Sequence, residues 1–196
     1  MINRQKINIK NLRKDIIFKE SLRGIEFFFH STWGLFSPRK IDDGSRLLIN
    51  NINIDENDDC FDLGCGYGAI GLAMAKLSPY GQTYLVDKDY VAVKFAKKNA
   101  VINGIENCSI FLSNGFSEIE KRDFNIIASN IPAKVGKELL YITLYDARKH
   151  LVKGGKLYIV TISGLKDFIK RNLINVFGNY RKIKQNKSYT LFLTHK

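Results

Sequence analysis

The chain has 196 residues, 45% of them hydrophobic and 26% charged, with a net charge of +12, which fits one domain with a sizeable core. No apolar run reaches the roughly 18 residues of a membrane span, and the opening Met-Ile-Asn-Arg-Gln-Lys has no apolar signal-peptide core. A membrane protein is therefore excluded as an expectation, and a cytoplasmic protein is expected; the oligomeric state stays open, with a monomer favoured.

Residues 1–24 read as a basic N-terminal extension of charge +5. Ile16, Ile17 and Leu22 are expected on one face of a short helix. Residues 25–196 read as one continuous domain. Ile25–His30 is strand-like, and Ser31–Phe36 is expected as a turn and a second strand. Ser37-Pro38 reads as a helix entrance, with a helix over Asp42–Asn51. An alternation follows. Cys60–Leu63 is a buried strand and Ala69–Leu77 a helix. Thr83–Val86 is a strand ending at Asp87. Tyr90–Ile102 is a helix, N-capped by Asp89 and stopped at Asn103-Gly104. Ser109–Leu112 and Phe124–Ser129 are strands, the second ending at Asn130-Ile131-Pro132. Glu138–Leu151 is a helix. Lys156–Ile162 is a strand after a Gly154-Gly155 turn. Lys166–Phe177 is a helix, and Tyr180–Ile183 with Ser188–Thr194 makes a final hairpin.

Alternating strands and helices predict an α/β fold: a doubly wound, Rossmann-like, mostly parallel sheet covered on both faces. The last hairpin adds an antiparallel strand, and a short β/helical extension precedes the sheet. Ligands in such sheets bind outside the carboxyl ends of the strands. The candidate residues are therefore the loop Gly64–Gly68, Asp87, Asn114 and Asn130.

Phe61–Gly71 reads Phe-Asp-Leu-Gly-Cys-Gly-Tyr-Gly-Ala-Ile-Gly. Glycines at 64, 66 and 68 permit positive φ and close backbone approach to a ligand. The helix just behind offers free N–H donors. Asp62, two positions before the first glycine, would repel a pyrophosphate but suits a ligand with a cationic amino group. Asp87, ending the next strand, is positioned for ribose hydroxyls. An acid, a glycine loop and a second acid fit S-adenosylmethionine better than a dinucleotide. Cys60, Cys65 and Cys108 form no CxxC pair and are expected as free thiols. Cys65 lies inside the glycine loop, and its side chain is expected to pack. No metal site is expected.

On these residues the chain resembles the class I S-adenosylmethionine-dependent methyltransferases from about residue 25 onward. The resemblance implies a seven-stranded sheet with an antiparallel last strand over 25–196. It implies that Asp62 and the backbone of Gly64, Cys65, Gly66 and Gly68 hold the methionine portion. Asp87 would hold the ribose, and Asn114 would lie near the adenine.

Ser129-Asn130-Ile131-Pro132 follows the fourth strand of the core, where amino-group methyltransferases often carry Asn/Asp-Pro-Pro-aromatic. An aromatic amine is a weak nucleophile because its lone pair is delocalised. A side-chain carbonyl (Asn130) and a backbone carbonyl (Ile131) can accept its two hydrogens and turn the lone pair toward the methyl donor. Catalysis is then mostly alignment, with modest electrostatic help. Ile131 replaces the usual first proline, Pro132 is kept, and Ala133 replaces the aromatic residue. Trp33, Phe36 or Phe116 would have to supply a stacking surface instead.

Five segments then occur in order: Gly34-Leu35-Phe36-Ser37, Asp43-Gly44-Ser45-Arg46-Leu47-Leu48, Asp62–Gly68, Asn114-Gly115-Phe116-Ser117-Glu118 and Ser129–Pro132. Together they are similar to the catalytic domain of the small-subunit ribosomal RNA guanine-N2 methyltransferase family, including its short single-domain relatives. That family implies transfer to the exocyclic amine of a guanine in ribosomal RNA or a ribosomal particle.

Charge agrees with an RNA partner. Residues 25–146 carry −4, whereas residues 147–196 carry +11, and Lys/Arg contacts to phosphate supply affinity and position. Lys134 and Lys137 could meet phosphates beside the target, and Arg181–Lys184 reads as an exposed basic edge. Two other readings stay open: methylation of a protein amide nitrogen, and a non-catalytic RNA-binding protein that keeps the fold.

Overall fold

Side chains along the central strands alternate between two cores, and this alternation makes the layers. The computed structural model of the chain describes residues 9–132 and 136–196. In chain order the elements are α1 (Ile9–Leu12), β1 (Ile16–Leu22), β2 (Ile25–Ser31), α2 (Asp43–Asn51), β3 (Cys60–Leu63), α3 (Ala69–Leu77), β4 (Thr83–Asp87) and α4 (Tyr90–Ile102). They continue with β5 (Cys108–Leu112), β6 (Phe124–Asn130), α5 (Lys137–His150), β7 (Leu151–Ile162), a 3-10 turn (Ser163–Leu165), α6 (Lys166–Phe177), β8 (Arg181–Gln185) and β9 (Tyr189–His195). In β3, β6, β7 and β9, Cys60, Ile126, Ala128, Tyr158, Val160, Leu191 and Leu193 face one core, with α2, α3 and α4. Phe61, Ile127, Leu157, Ile159 and Phe192 face the other, with α5 and α6. Burial on both faces explains why these strands read as nearly continuous apolar runs.

The sheet order is β5-β4-β3-β6-β7-β9-β8. β3 through β7 are parallel, and β9 runs antiparallel between β7 and β8. This is the doubly wound, seven-stranded sheet expected from the sequence. The chain winds outward from β3 to β5, then returns to β6 on the other side of β3. The switch point lies between β3 and β6, where this class of sheet opens its ligand crevice.

Four local expectations are corrected. Ile16–Leu22 is a strand, not a helix: β1 pairs antiparallel with β2 over its whole length, and its exposure alternates. Residues 32–36 form turns and bends rather than a second strand. Helix α2 is entered at Asp42, whose side chain caps Gly44 and Ser45 N–H, not at Ser37-Pro38. β7 begins at Leu151 and runs through Gly154-Gly155 with a register shift against β6.

The hairpin β1–β2 is fastened to the main domain by two asparagines one helical turn apart. Asn103 accepts from Phe28 N–H (2.9 Å) and donates to Phe28 C=O (2.8 Å). Asn99 accepts from His30 N–H (2.7 Å) and donates to His30 C=O (2.9 Å). The pair imitates a neighbouring strand, so the outer edge of β2 is satisfied by a helix. Asn99 also donates to the carbonyl of Tyr67 (2.9 Å), which ties the hairpin to the glycine loop. No helix of the described residues is long and apolar enough to cross a membrane.

Candidate functional site

The loop after β3 is built by three glycines in the left-handed region: Gly64 (φ 76°), Gly66 (φ 56°) and Gly68 (φ 98°). Such backbone is strained for any residue with a Cβ. Gly64 and Cys65 N–H both donate to Val86 C=O (2.9 Å each), pinning the loop to β4. At Gly64 and Gly66 an added Cβ would meet nothing within 4 Å, so the open side of the loop is bare backbone. This is the surface a close-fitting ligand needs.

Asp62 sits at the base of this loop, 1% exposed. Its Oδ2 accepts from Gly71 N–H at 2.7 Å, while its Oδ1 is buried with no partner. Burial raises its pKa to about 7; the Gly71 N–H opposes the rise and Asp87 adds to it. A buried carboxylate with one idle oxygen fits a ligand that brings a positive charge or an N–H donor. Gly71 makes the arrangement possible, because a Cβ there would stand 2.3 Å from Leu85 Cγ and 2.9 Å from Asp62 Oδ2.

Asp87 ends β4 as expected. Its Oδ2 accepts from Gly66 N–H (2.9 Å) and its Oδ1 from Asp89 N–H (2.9 Å). Each oxygen keeps a further lone pair for a hydroxyl donor. Asn114 follows β5 with an exposed side chain, two residues past Leu112, the residue of β5 that pairs with Asp87. Cys65 is buried, and burial pushes its thiol well above the ordinary 9.0. It is a packed neutral thiol, and only its backbone belongs to the loop. Among the described residues no group of three or more His, Cys, Asp or Glu could hold a metal ion.

β6 brings Asn130 to the same crevice. Asp62 pairs with Ala128, and Ser129 donates to Leu63 C=O at 2.8 Å. Asn130 therefore comes level with the start of the glycine loop, one inter-strand spacing of about 4.8 Å away. Asp62, Ala128 and Asn130 share the face covered by α2 and α3. Asn130 Nδ2 donates to Asp42 Oδ1 (3.1 Å) and Ser45 Oγ (3.0 Å). Among the described residues nothing donates to its Oδ1. Ile131 is buried, with its N–H on Val160 C=O (2.9 Å), and Pro132 is exposed. Ala133 and Lys134 lie outside the described residues.

Sequence reasoning missed the contact of Asp42 and Ser45 with Asn130. Asp42 was visible as a helix start, but its link to Asn130 spans 88 residues and had no local signal. Of the three aromatics considered for stacking, Phe116 is removed. It is buried between Phe61 and His150, with ring centroids 4.7 and 4.5 Å away. Phe36 is 67% exposed, and Trp33 is exposed with the Arg39 guanidinium 4.7 Å over its ring. Both belong to the segment between β2 and α2, and the Tyr67 hydroxyl of the glycine loop donates to Lys40 C=O in that segment (3.2 Å). Lys137 is exposed at the start of α5. Arg181, Lys182 and Lys184 are exposed on β8, the edge strand.

Residues 26–193 match the family described as "Methyltransferase small domain". The Bacillus subtilis protein YbxB is 31% identical over 196 residues, covering 98% of this chain and 96% of that protein. Ribosomal RNA small subunit methyltransferase C of Hamiltonella defensa is 31% identical over 163 residues, covering 81% of this chain and 47% of that enzyme. Among solved structures, the Thermus thermophilus 16S rRNA N2 G1207 methyltransferase, in complex with AdoMet and guanosine, superposes with a TM-score of 0.82 at 26% identity, over 92% of this chain and 50% of that one. The chain thus spans about half the length of the two ribosomal RNA enzymes.

Proposed function

Because the chain belongs to the methyltransferase small domain family, we propose that it is an S-adenosylmethionine-dependent methyltransferase of ribosomal RNA whose acceptor is the exocyclic N2 amine of a guanine. The ribosomal RNA enzymes among its relatives support the substrate class. The N2 target is carried by Asn130: its amide nitrogen is fully engaged, and its carbonyl oxygen is left to accept from an amine.

The residues fit the cofactor. Asp62, through its idle oxygen, and the bare backbone of Gly64–Gly68 would hold the methionine portion. Asp87 would accept from the ribose hydroxyls, and Asn114 would stand beside the adenine. Bound there, S-adenosylmethionine supplies an electrophilic methyl group on a sulfonium.

Asn130 Oδ1 and the Ile131 carbonyl accept the two hydrogens of the guanine amine. That holds the amine pyramidal and directs its lone pair at the cofactor side of the crevice. No strong base is needed, since the nitrogen can release its proton to water after transfer. Alignment of this kind is worth orders of magnitude in rate. Lys and Arg on β8 and at the start of α5 would meet phosphates, with the target base unstacked to reach the crevice.

Methyl-labelled cofactor, offered together with ribosomal RNA, ribosomal subunits and protein extract, tests the acceptor class. Label in RNA supports the reading. Label confined to protein overturns it.

A further inference from the structure

The end of α2 nearest the crevice holds a second set of polar groups that the reaction itself does not use. Asp42 Oδ1 accepts three donors at once: Gly44 N–H (2.9 Å), Ser45 N–H (3.1 Å) and Asn130 Nδ2 (3.1 Å). Ser45 Oγ accepts the other hydrogen of the same amide at 3.0 Å. Both side chains are buried, at 8% and 7% exposure. Gly44 is forced at its position because a Cβ would stand 2.7 Å from the Tyr189 ring. Helix α2 is therefore seated against β9, and its N-terminus is a rigid mount.

A carboxylate oxygen can only accept. Turning the Asn130 amide over would point its carbonyl at Asp42 and its N–H groups at the incoming amine, which is itself a donor. Both contacts would then be repulsive. We propose that Asp42 and Ser45 are positioning residues: they lock the Asn130 amide in the one orientation that offers its carbonyl oxygen to the acceptor amine. The N-cap of α2 thereby does two tasks, ending a helix and fixing a catalytic side chain. This inference rests on the role assigned to Asn130 above.

Two substitutions at Asp42 separate the tasks. Serine and asparagine are both good N-caps, so a purely structural Asp42 predicts that they behave alike. The lock predicts that they differ. Asp42→Asn keeps a carbonyl oxygen within reach of the Asn130 amide and retains kcat to within about twofold. Asp42→Ser keeps the cap but is too short to reach. Ser45 Oγ is then the one remaining partner of the amide among the described residues, and a hydroxyl can donate as well as accept, so the amide loses its fixed orientation and kcat falls by roughly three- to sixfold as Asn130 samples two amide orientations and further χ1 wells. The KM for cofactor stays unchanged. In an Asn130→Ala background, Asp42→Ser causes no further loss.

A second readout needs no acceptor. The side-chain amide of Asn130, assigned by NMR through its disappearance in Asn130→Ala, should show two well-separated protons with contacts to Ser45 in the wild type and in Asp42→Asn. In Asp42→Ser those protons should converge and exchange faster. Equal kcat for the serine and asparagine variants, or an unchanged amide signal in Asp42→Ser, overturns the lock alone. Full activity of Asn130→Ala overturns the reading of Asn130 and the lock with it.

Discussion

Asp62→Asn should make the cofactor-free protein more stable while impairing its function. In the wild type, burial raises the Asp62 pKa from 3.8 to about 7. The ionised form is therefore disfavoured in the fold by about 4 kcal/mol, at 1.36 kcal/mol per pH unit. A folded-state pKa above the unfolded one means that the native state binds more protons between the two values. Stability from this group is intact below about pH 4 and is lost as pH rises to about 7. Asparagine cannot ionise, yet its carbonyl can still accept from Gly71 N–H. The stability difference between Asp62→Asn and wild type should be near zero at pH 4. It should grow through pH 5–7 and level off at roughly 4 kcal/mol above pH 7, with the variant the more stable. Urea denaturation at half-unit pH steps measures it, and subtracting the variant from the wild type cancels every other titrating group. Saturating S-adenosylmethionine should shrink the difference at pH 8, because its cationic amino group answers the idle Oδ1. A difference that is flat from pH 4 to pH 8 would refute the reasoning, as would equal cofactor affinity in the two proteins.

Asp87→Ala removes the acceptor assigned to the ribose and the anchor of Gly66 N–H, so calorimetry should show cofactor affinity lowered by roughly 30-fold, the equivalent of about 2 kcal/mol for hydrogen bonding to a charged acceptor; unchanged affinity takes Asp87 out of the site. Gly71→Ala drives a Cβ into Leu85 and the Asp62 carboxylate, and denaturation should record a loss of about 1–3 kcal/mol from overpacking, whereas a neutral result would mean that α3 can move away from β4.

The central elements were legible because each carried its own signal. Tyr90–Ile102 was bounded by its Asp89 N-cap and its Asn103-Gly104 stop, and Ala69–Leu77 by the glycine loop before it; both stand as expected, as does Lys166–Phe177. The glycine loop and Asp87 were legible because β4 follows β3 in both sequence and space. β1 was not. Its inward row is Ile16, Phe18, Glu20 and Leu22, and the charge in that row hid the period of two. The clue lay in the turn: Arg23 (φ 51°) and Gly24 (φ 82°) are both left-handed, which is the geometry of a tight hairpin, but Arg-Gly is not the usual sequence for it. Glu20 is explained by Arg46 of α2, 2.6 Å away. That contact, like the one between Asp42 and Asn130, joins residues far apart in the chain. The sequence could supply the two halves of the site, and only the sheet order brings them together.

The central claim is that Asn130 aligns a guanine amine for methyl transfer. The direct measurement is digestion of RNA labelled by the wild type and by Asn130→Ala, followed by chromatographic identification of the labelled nucleoside. The expected result is N2-methylguanosine as the labelled product, with the rate in Asn130→Ala lowered by about 10²-fold and its cofactor affinity unchanged. Label on another atom or base would contradict the N2 assignment, and an undiminished rate in Asn130→Ala would contradict the role given to Asn130.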